Sequence, residues 1–160
     1  MNQFIEDSVS TIQKNLAYSL EELSAKKNTE YRKRICQKYT DGQDLYPLWE
    51  FINPSFSIRE KEAWQWIDEF LQGQETYLLF DKNDSLQVYA IRKEQPIEKF
   101  LEEFPWDFYL SNDCCDFLLT QNDHDYLIAA GTAEPWLRQK AVALSQTGWK
   151  DMDGRSFHIL

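Results

Sequence analysis

Residues 107–137 read DFYLSNDCCDFLLTQNDHDYLIAAGTAEPWL, which holds three apolar runs, two turn clusters and a helix start. Asp107 to Leu110 has the character of a strand, and Ser111-Asn112-Asp113 is a cluster of turn formers. Asp116 to Gln121 and Tyr126 to Ala130 are two further apolar runs, and they flank Asn122-Asp123-His124-Asp125. Two such runs around an Asn/Asp cluster predict a hairpin. Over so few residues the periodicity also fits a short helix from Asp113 to Leu119, so strand and helix both stay open there. Gly131 closes the last run. Thr132 is then placed to cap a helix with Glu134 and Pro135 in its first turn and Trp136, Leu137, Ala141 and Leu144 turned inward.

Upstream, Thr76 to Phe80 and Leu86 to Ile91 flank Asp81-Lys82-Asn83-Asp84-Ser85 and predict another hairpin, its first strand apolar on both faces as a central strand would be. Pro96 opens a short helix with Ile97, Phe100, Leu101 and Phe104 on one side, and Pro105 stops it. Phe4, Ile5, Val9, Ile12, Leu16, Leu20 and Leu23 recur every three to four residues and predict a helix of about five turns. Tyr31, Ile35 and Tyr39 carry a second helical stripe with Arg32, Lys33, Arg34 and Lys38 outward, ended by Asp41-Gly42. Leu45 to Ile52 contains Pro47 and reads as an extended connection or edge strand. Ser57 and Glu60 have the spacing of a capping box for a helix through Trp64, Ile67 and Leu71, with Trp66 at the edge of its stripe. That reading buries Trp64 and Trp136 and leaves Trp66 more exposed.

These elements describe a single α+β domain with a mainly antiparallel sheet and N-terminal, central and C-terminal helices packed on it. A helical part covers about residues 1–45, the sheet-containing part about 46–146, and an irregular tail 147–160. The 160 residues suffice for one core, and 42% hydrophobic and 15% aromatic content supply it. No apolar run reaches the length of a membrane span, and the N-terminus lacks the pattern of a signal peptide. Cys36, Cys114 and Cys115 are odd in number and two are adjacent, so no disulfide framework is expected. Location in a reducing cytoplasm fits.

Chemical motifs are sparse. Asp123-His124-Asp125 has the residue types of a cation site, but three consecutive side chains on one turn point apart, and a solvated turn is expected instead. Cys114 and Cys115 lie between Asp113 and Asp116, whose negative charge opposes thiolate formation. No phosphate-binding glycine loop, nucleophile elbow or paired-cysteine motif occurs. Catalysis, a metal and a cofactor are therefore not expected. Charge is more informative. Seventeen basic against 27 acidic residues give a net −10, which disfavours nucleic-acid backbones and favours a basic protein partner. Residues 94–125 hold nine acids and one base, whereas residues 14–38 hold seven bases and three acids. The acidic stretch is thus a candidate docking surface, carried by Glu98, Glu102, Glu103, Asp107, Asp123, His124 and Asp125, with Trp106 as an aromatic anchor.

The string DFYLSNDCCDFLLTQNDHDYLIAAG resembles the hallmark region of the SUKH superfamily. That group includes yeast cell-wall regulators and many immunity proteins of bacterial toxin systems. Trp49 or Trp64, the hairpin from Thr76 to Ile91, Phe108-Tyr109-Leu110, Asn122 to Asp125 and Gly131 occur in the order typical of that group, across about Tyr46 to Leu144. The resemblance implies an α+β domain without an active site. It further implies a protein that binds and neutralises a toxin domain, commonly a nuclease. A regulatory or scaffold role on the same fold, related to the cell wall, is the alternative, and an unrecognised metal-dependent enzyme is a third.

Overall fold

The computed structural model describes residues 3–159. Five helices and seven strands follow one another as α1 (Gln3–Leu16), β1 (Leu20–Glu22), α2 (Ala25–Tyr39), β2 (Phe56–Arg59), α3 (Ile67–Leu71), β3 (Thr76–Leu79), β4 (Tyr89–Ile91), α4 (Ile97–Glu103), β5 (Tyr109–Ser111), β6 (Phe117–Gln121), β7 (Tyr126–Gly131) and α5 (Ala133–Ser145). The strands form one antiparallel sheet in the order β1-β4-β3-β5-β6-β7-β2. The chain is a single α+β domain.

Strand alternation sends side chains into two cores. Leu78, Phe80, Leu110, Phe117, Leu119, Leu127 and Ala129 meet helices α1, α3, α4 and α5 on one face. On the other face Leu79, Tyr109, Leu118, Ile128 and Ala130 meet Tyr31, Ile35, Cys36 and Tyr39 of α2, together with Leu48 and Ile52. The central strands are therefore buried on both sides, which is why their sequences are apolar throughout rather than alternating.

Both expected hairpins form, β3 with β4 and β6 with β7, and β3 is central. Asp113 to Leu119 resolves as a turn followed by strand β6. Pro96 precedes α4, whose first amides are capped from a distance: Ile97 and Glu98 donate to the Asp68 carboxylate at 2.8 and 3.1 Å.

Several local expectations are corrected. The first helix stops at Leu16, because Ala17 turns left-handed (φ 52°) and Tyr18 packs on Phe100. The Ser19 amide then donates to Gln95 Oε1 and Gln95 Nε2 donates back to the Ser19 carbonyl, and Leu20 enters the sheet edge. Leu45 to Ile52 holds no strand but a 3-10 turn at Leu48–Phe51. Ser57 and Glu60 form no capping box; Phe56–Arg59 is the edge strand β2, paired with β7, and a 3-10 turn at Ala63–Trp66 leads into α3. Thr132 makes no side-chain cap. Arg32 is not outward: it is 6% exposed, donating from Nε and Nη2 to Asp44 and from Nη1 to the Phe80 carbonyl. Trp64, Trp66 and Trp136 are all half-buried against the core, Trp66 in part because Trp149 of the tail meets its edge at 6.3 Å.

The tail has no helix or strand over residues 147–159, yet it is fastened; Leu160 lies outside the described residues. Its centre is buried Asp151, which accepts from the Arg59, Asp153 and Arg155 amides and from Arg155 Nε. The Met152 amide donates to the Arg59 carbonyl and Arg155 Nη2 to the Ser57 carbonyl. Three outward-facing backbone groups of β2 are thereby covered.

Candidate functional site

The proposed docking residues separate into two places. Glu98, Glu102 and Glu103 lie exposed on α4. Glu103 and Trp106 line a groove with Asp7, Ser8, Thr11 and Asn15 of α1. Trp106 is not a free anchor: it is half-buried, its Nε1 donates to Ser8 Oγ at 3.0 Å, and its ring stacks on Phe4. Asp125 is half-buried in the β6–β7 turn, its carbonyl accepting from the Glu60 amide. Its left-handed backbone (φ 69°) closes the β6–β7 turn, which Asn122 Oδ1 secures by accepting from the His124 and Tyr126 amides.

Asp107, Asp123 and His124 instead converge at one end of the sheet, with residues the acidic run in the sequence does not contain. The antiparallel pair β3–β5 matches Leu79 to Tyr109; two residues beyond that pair lie Asp81 on one strand and Asp107 on the other. The β3–β4 connection adds Asp84, and the β6–β7 turn adds Asp123 and His124. Segment 44–51 covers this end. It is anchored by Asp81 Oδ1, which accepts from the Leu48 amide (2.7 Å) and the Tyr109 hydroxyl (3.0 Å), while the Trp49 amide donates to the same hydroxyl (3.0 Å). Trp49 meets His124 edge-on at 5.8 Å.

The electrostatics of this end are dominated by carboxylates. Asp107 is half-buried, and its pKa is pushed up to about 6, first by burial and then by the charges of Asp123, Asp81 and Asp84, with His124 opposing. Burial likewise raises Asp84 and Asp81, the latter despite its two donors. Asp81 is wholly buried and its Oδ2 has no hydrogen-bond partner. Among the described residues, no Lys or Arg comes within ion-pair distance of any of these four aspartates. By contrast Asp113, in the same acidic run, is matched by Arg34 of α2 at 3.8 Å. Tyr46, 55% exposed, lies among these carboxylates and feels the charges of Asp84, Asp81, Asp107 and Asp123.

Among the described residues, no group of three or more His, Cys, Asp or Glu side chains is placed to hold a metal ion. Cys36 and Cys115 are buried, Cys114 is exposed, and burial raises the first two thiols. No base stands by any of them in the hydrogen bonds of the described residues. Cationic groups stand at the margins of this end of the sheet: His124 lies 3.6 Å from Asp123, Arg59 Nε donates to the His124 carbonyl, and Arg32 offsets part of the effect of burial on Asp81. Among the described residues Asp84 and Asp107 have no such Lys or Arg partner, so what this end can do is receive a further cation, with exposed Tyr46 nearby.

Asp81, Asp84, Tyr46 and Trp49 lie outside the acidic run, so acidic density along the chain does not point to them. A usable signal was there. The turn after a central strand must emerge beside the start of its antiparallel neighbour, which places Asp81 and Asp84 near Asp107. No helix of the described residues is long and apolar enough to cross a membrane. Compared with protein-family models, curated proteins and solved structures, the chain matches none of them.

Proposed function

We propose that this chain is a non-catalytic protein-binding module that docks a basic protein at the acidic end of its sheet. The observation that carries the reading is Asp107: a half-buried carboxylate, raised by burial and three aspartates, with no Lys or Arg within ion-pair distance. Such a group is stabilised by a cation from outside, and exposed Tyr46 near it offers the aromatic contact that slows dissociation. The SUKH-like hallmark in residues 107–131 favours the immunity type of partner, a toxin domain such as a nuclease, whose substrate-binding surface is basic. Reduced Cys36, Cys114 and Cys115 fit action in the cytoplasm, without membrane insertion and without direct binding to nucleic acid.

The test compares three sets of charge reversals against a basic partner retained by the tagged protein. Asp84→Lys with Asp123→Lys is expected to slow association and to remove most of its salt dependence. Glu98→Lys with Glu102→Lys, on α4, and Lys33→Glu with Lys38→Glu, on α2, are expected to leave it nearly unchanged. Equal responses from all three sets would make the sheet end a solvated surface like the rest and end the proposal.

A further inference from the structure

The docking end contains a built-in source of pH dependence. Asp107 and Asp81 lie two residues beyond the last β5–β3 pair, and Asp84 and Asp123 reach the same place from two connections. Asp81 adds a fully buried carboxylate with one oxygen unpartnered, and its charge is felt at both Asp107 and the exposed Tyr46. The nearby titratable and charged groups are Asp81 and Asp84 from the β3–β4 connection, Asp123 and His124 from the β6–β7 turn, Tyr46 from segment 44–51 and Tyr109 from β5, with Arg32 of α2 acting on Asp81 and Arg59 of β2 bonded to the His124 carbonyl. Lys82, between the first two in sequence, is exposed and acts on Cys36 instead.

Resting on the docking reading above, we propose that docking of a basic partner at this end is coupled to loss of a proton from Asp107, so that the partner is held at neutral pH and released on acidification. The carboxyl O–H breaks, the proton passes to solvent, and the carboxylate pairs with an ammonium or guanidinium group of the partner. Coupling is reciprocal: a cation that favours ionised Asp107 binds less well wherever Asp107 is protonated. The free group titrates at about 6. If the docked cation restores the ordinary value of about 4, affinity falls about ten-fold between pH 7 and pH 5.

Pentalysine serves as the probe, at low ionic strength. Carboxyl-carbon NMR of the intact protein reads the Asp107 titration with and without the peptide, and peptide affinity is measured at pH 7 and pH 5. The expected result is an Asp107 midpoint that moves downward on saturation, with about ten-fold weaker binding at pH 5. Asp107→Asn should abolish most of that pH dependence, whereas His124→Gln should keep it, which separates the carboxyl from the imidazole. The two readings fail differently. If pentalysine binds at pH 7 indifferently to Asp84→Lys and Asp123→Lys, the docking site itself is wrong. If it binds there but equally at both pH values, or the Asp107 midpoint does not move, the docking site stands and the proton coupling is overturned.

Discussion

At Gly131 the backbone takes φ 64°, and a Cβ there would lie 2.3 Å from the Asp116 carbonyl oxygen and 2.6 Å from the Tyr39 hydroxyl. Neither atom can easily retreat, since the Tyr39 hydroxyl donates to the Cys115 carbonyl and the Thr132 amide donates to Asp116. Gly131→Ala therefore combines left-handed strain with overpacking and should cost about 3 kcal/mol or more. Chemical denaturation would show it, and a loss under about 1 kcal/mol, less than left-handed strain alone should cost, would mean that the β6–β7 exit is looser than it looks. Gly131 was legible in the sequence as the end of a strand, but its reason was not, because Tyr39 arrives from another helix. The same holds for acids. Asp107 and Asp123 stand out in a run of nine, yet nothing in that run separates them from Glu102 or Asp113. Burial and the pairing partner make the difference, and both are set by residues far away in sequence.

Elements whose hydrogen bonds close locally could be read, and those completed by distant chain could not. The hairpins β3–β4 and β6–β7 announce themselves through apolar runs around Asn- and Asp-rich turns, and α2, α4 and α5 through period and prolines. The edge strands were missed. Leu20 continues the three-to-four spacing of α1, and Ser57 with Glu60 satisfies a helix-start pattern, but strands β4 and β7 offer each segment a ladder instead. For β2 the choice is fixed further by the tail. Burial alone would raise the Asp151 carboxyl, but bonds from Arg155 and the Arg59 amide outweigh it and hold the group below the usual carboxylate range. Asp151→Ala leaves those donors without their acceptor and should cost about 2–3 kcal/mol. Hydrogen exchange gives the local readout: the Arg59 and Met152 amides, which depend on this bracket, should exchange faster while β6 amides keep their order of protection. Unchanged exchange at both would mean that the tail does not guard the edge.

On the scale of the whole molecule, two groups of carboxylates oppose each other in pH. Asp81, Asp84 and Asp107 have raised folded-state pKa values, so they bind protons more tightly folded than unfolded. Their effect on stability is most favourable at acid pH and is lost as pH climbs from the unfolded value near 3.9 through the folded one. Asp151 and Asp153 are depressed, so their contribution is present above the unfolded value and lost as pH falls through the folded one. A net charge of −10 adds self-repulsion as carboxylates ionise. The melting temperature is therefore expected to peak near pH 5, on the acid side of neutrality, falling toward pH 7.5 and again below about pH 4. Asp107→Asn should raise stability at pH 7 by about 1–3 kcal/mol and leave it nearly unchanged at pH 4, where the wild-type group is already protonated. A melting curve that keeps rising from pH 5 to pH 7.5, with Asp107→Asn no more stable than wild type at pH 7, would mean that the sheet end carries no electrostatic strain. If the strain is there, it is a cost borne by the free protein at neutral pH that a docked cation removes. Stability lost at Asp107 and affinity gained there are then two measurements of one interaction, and the same substitution should raise the first and weaken the second.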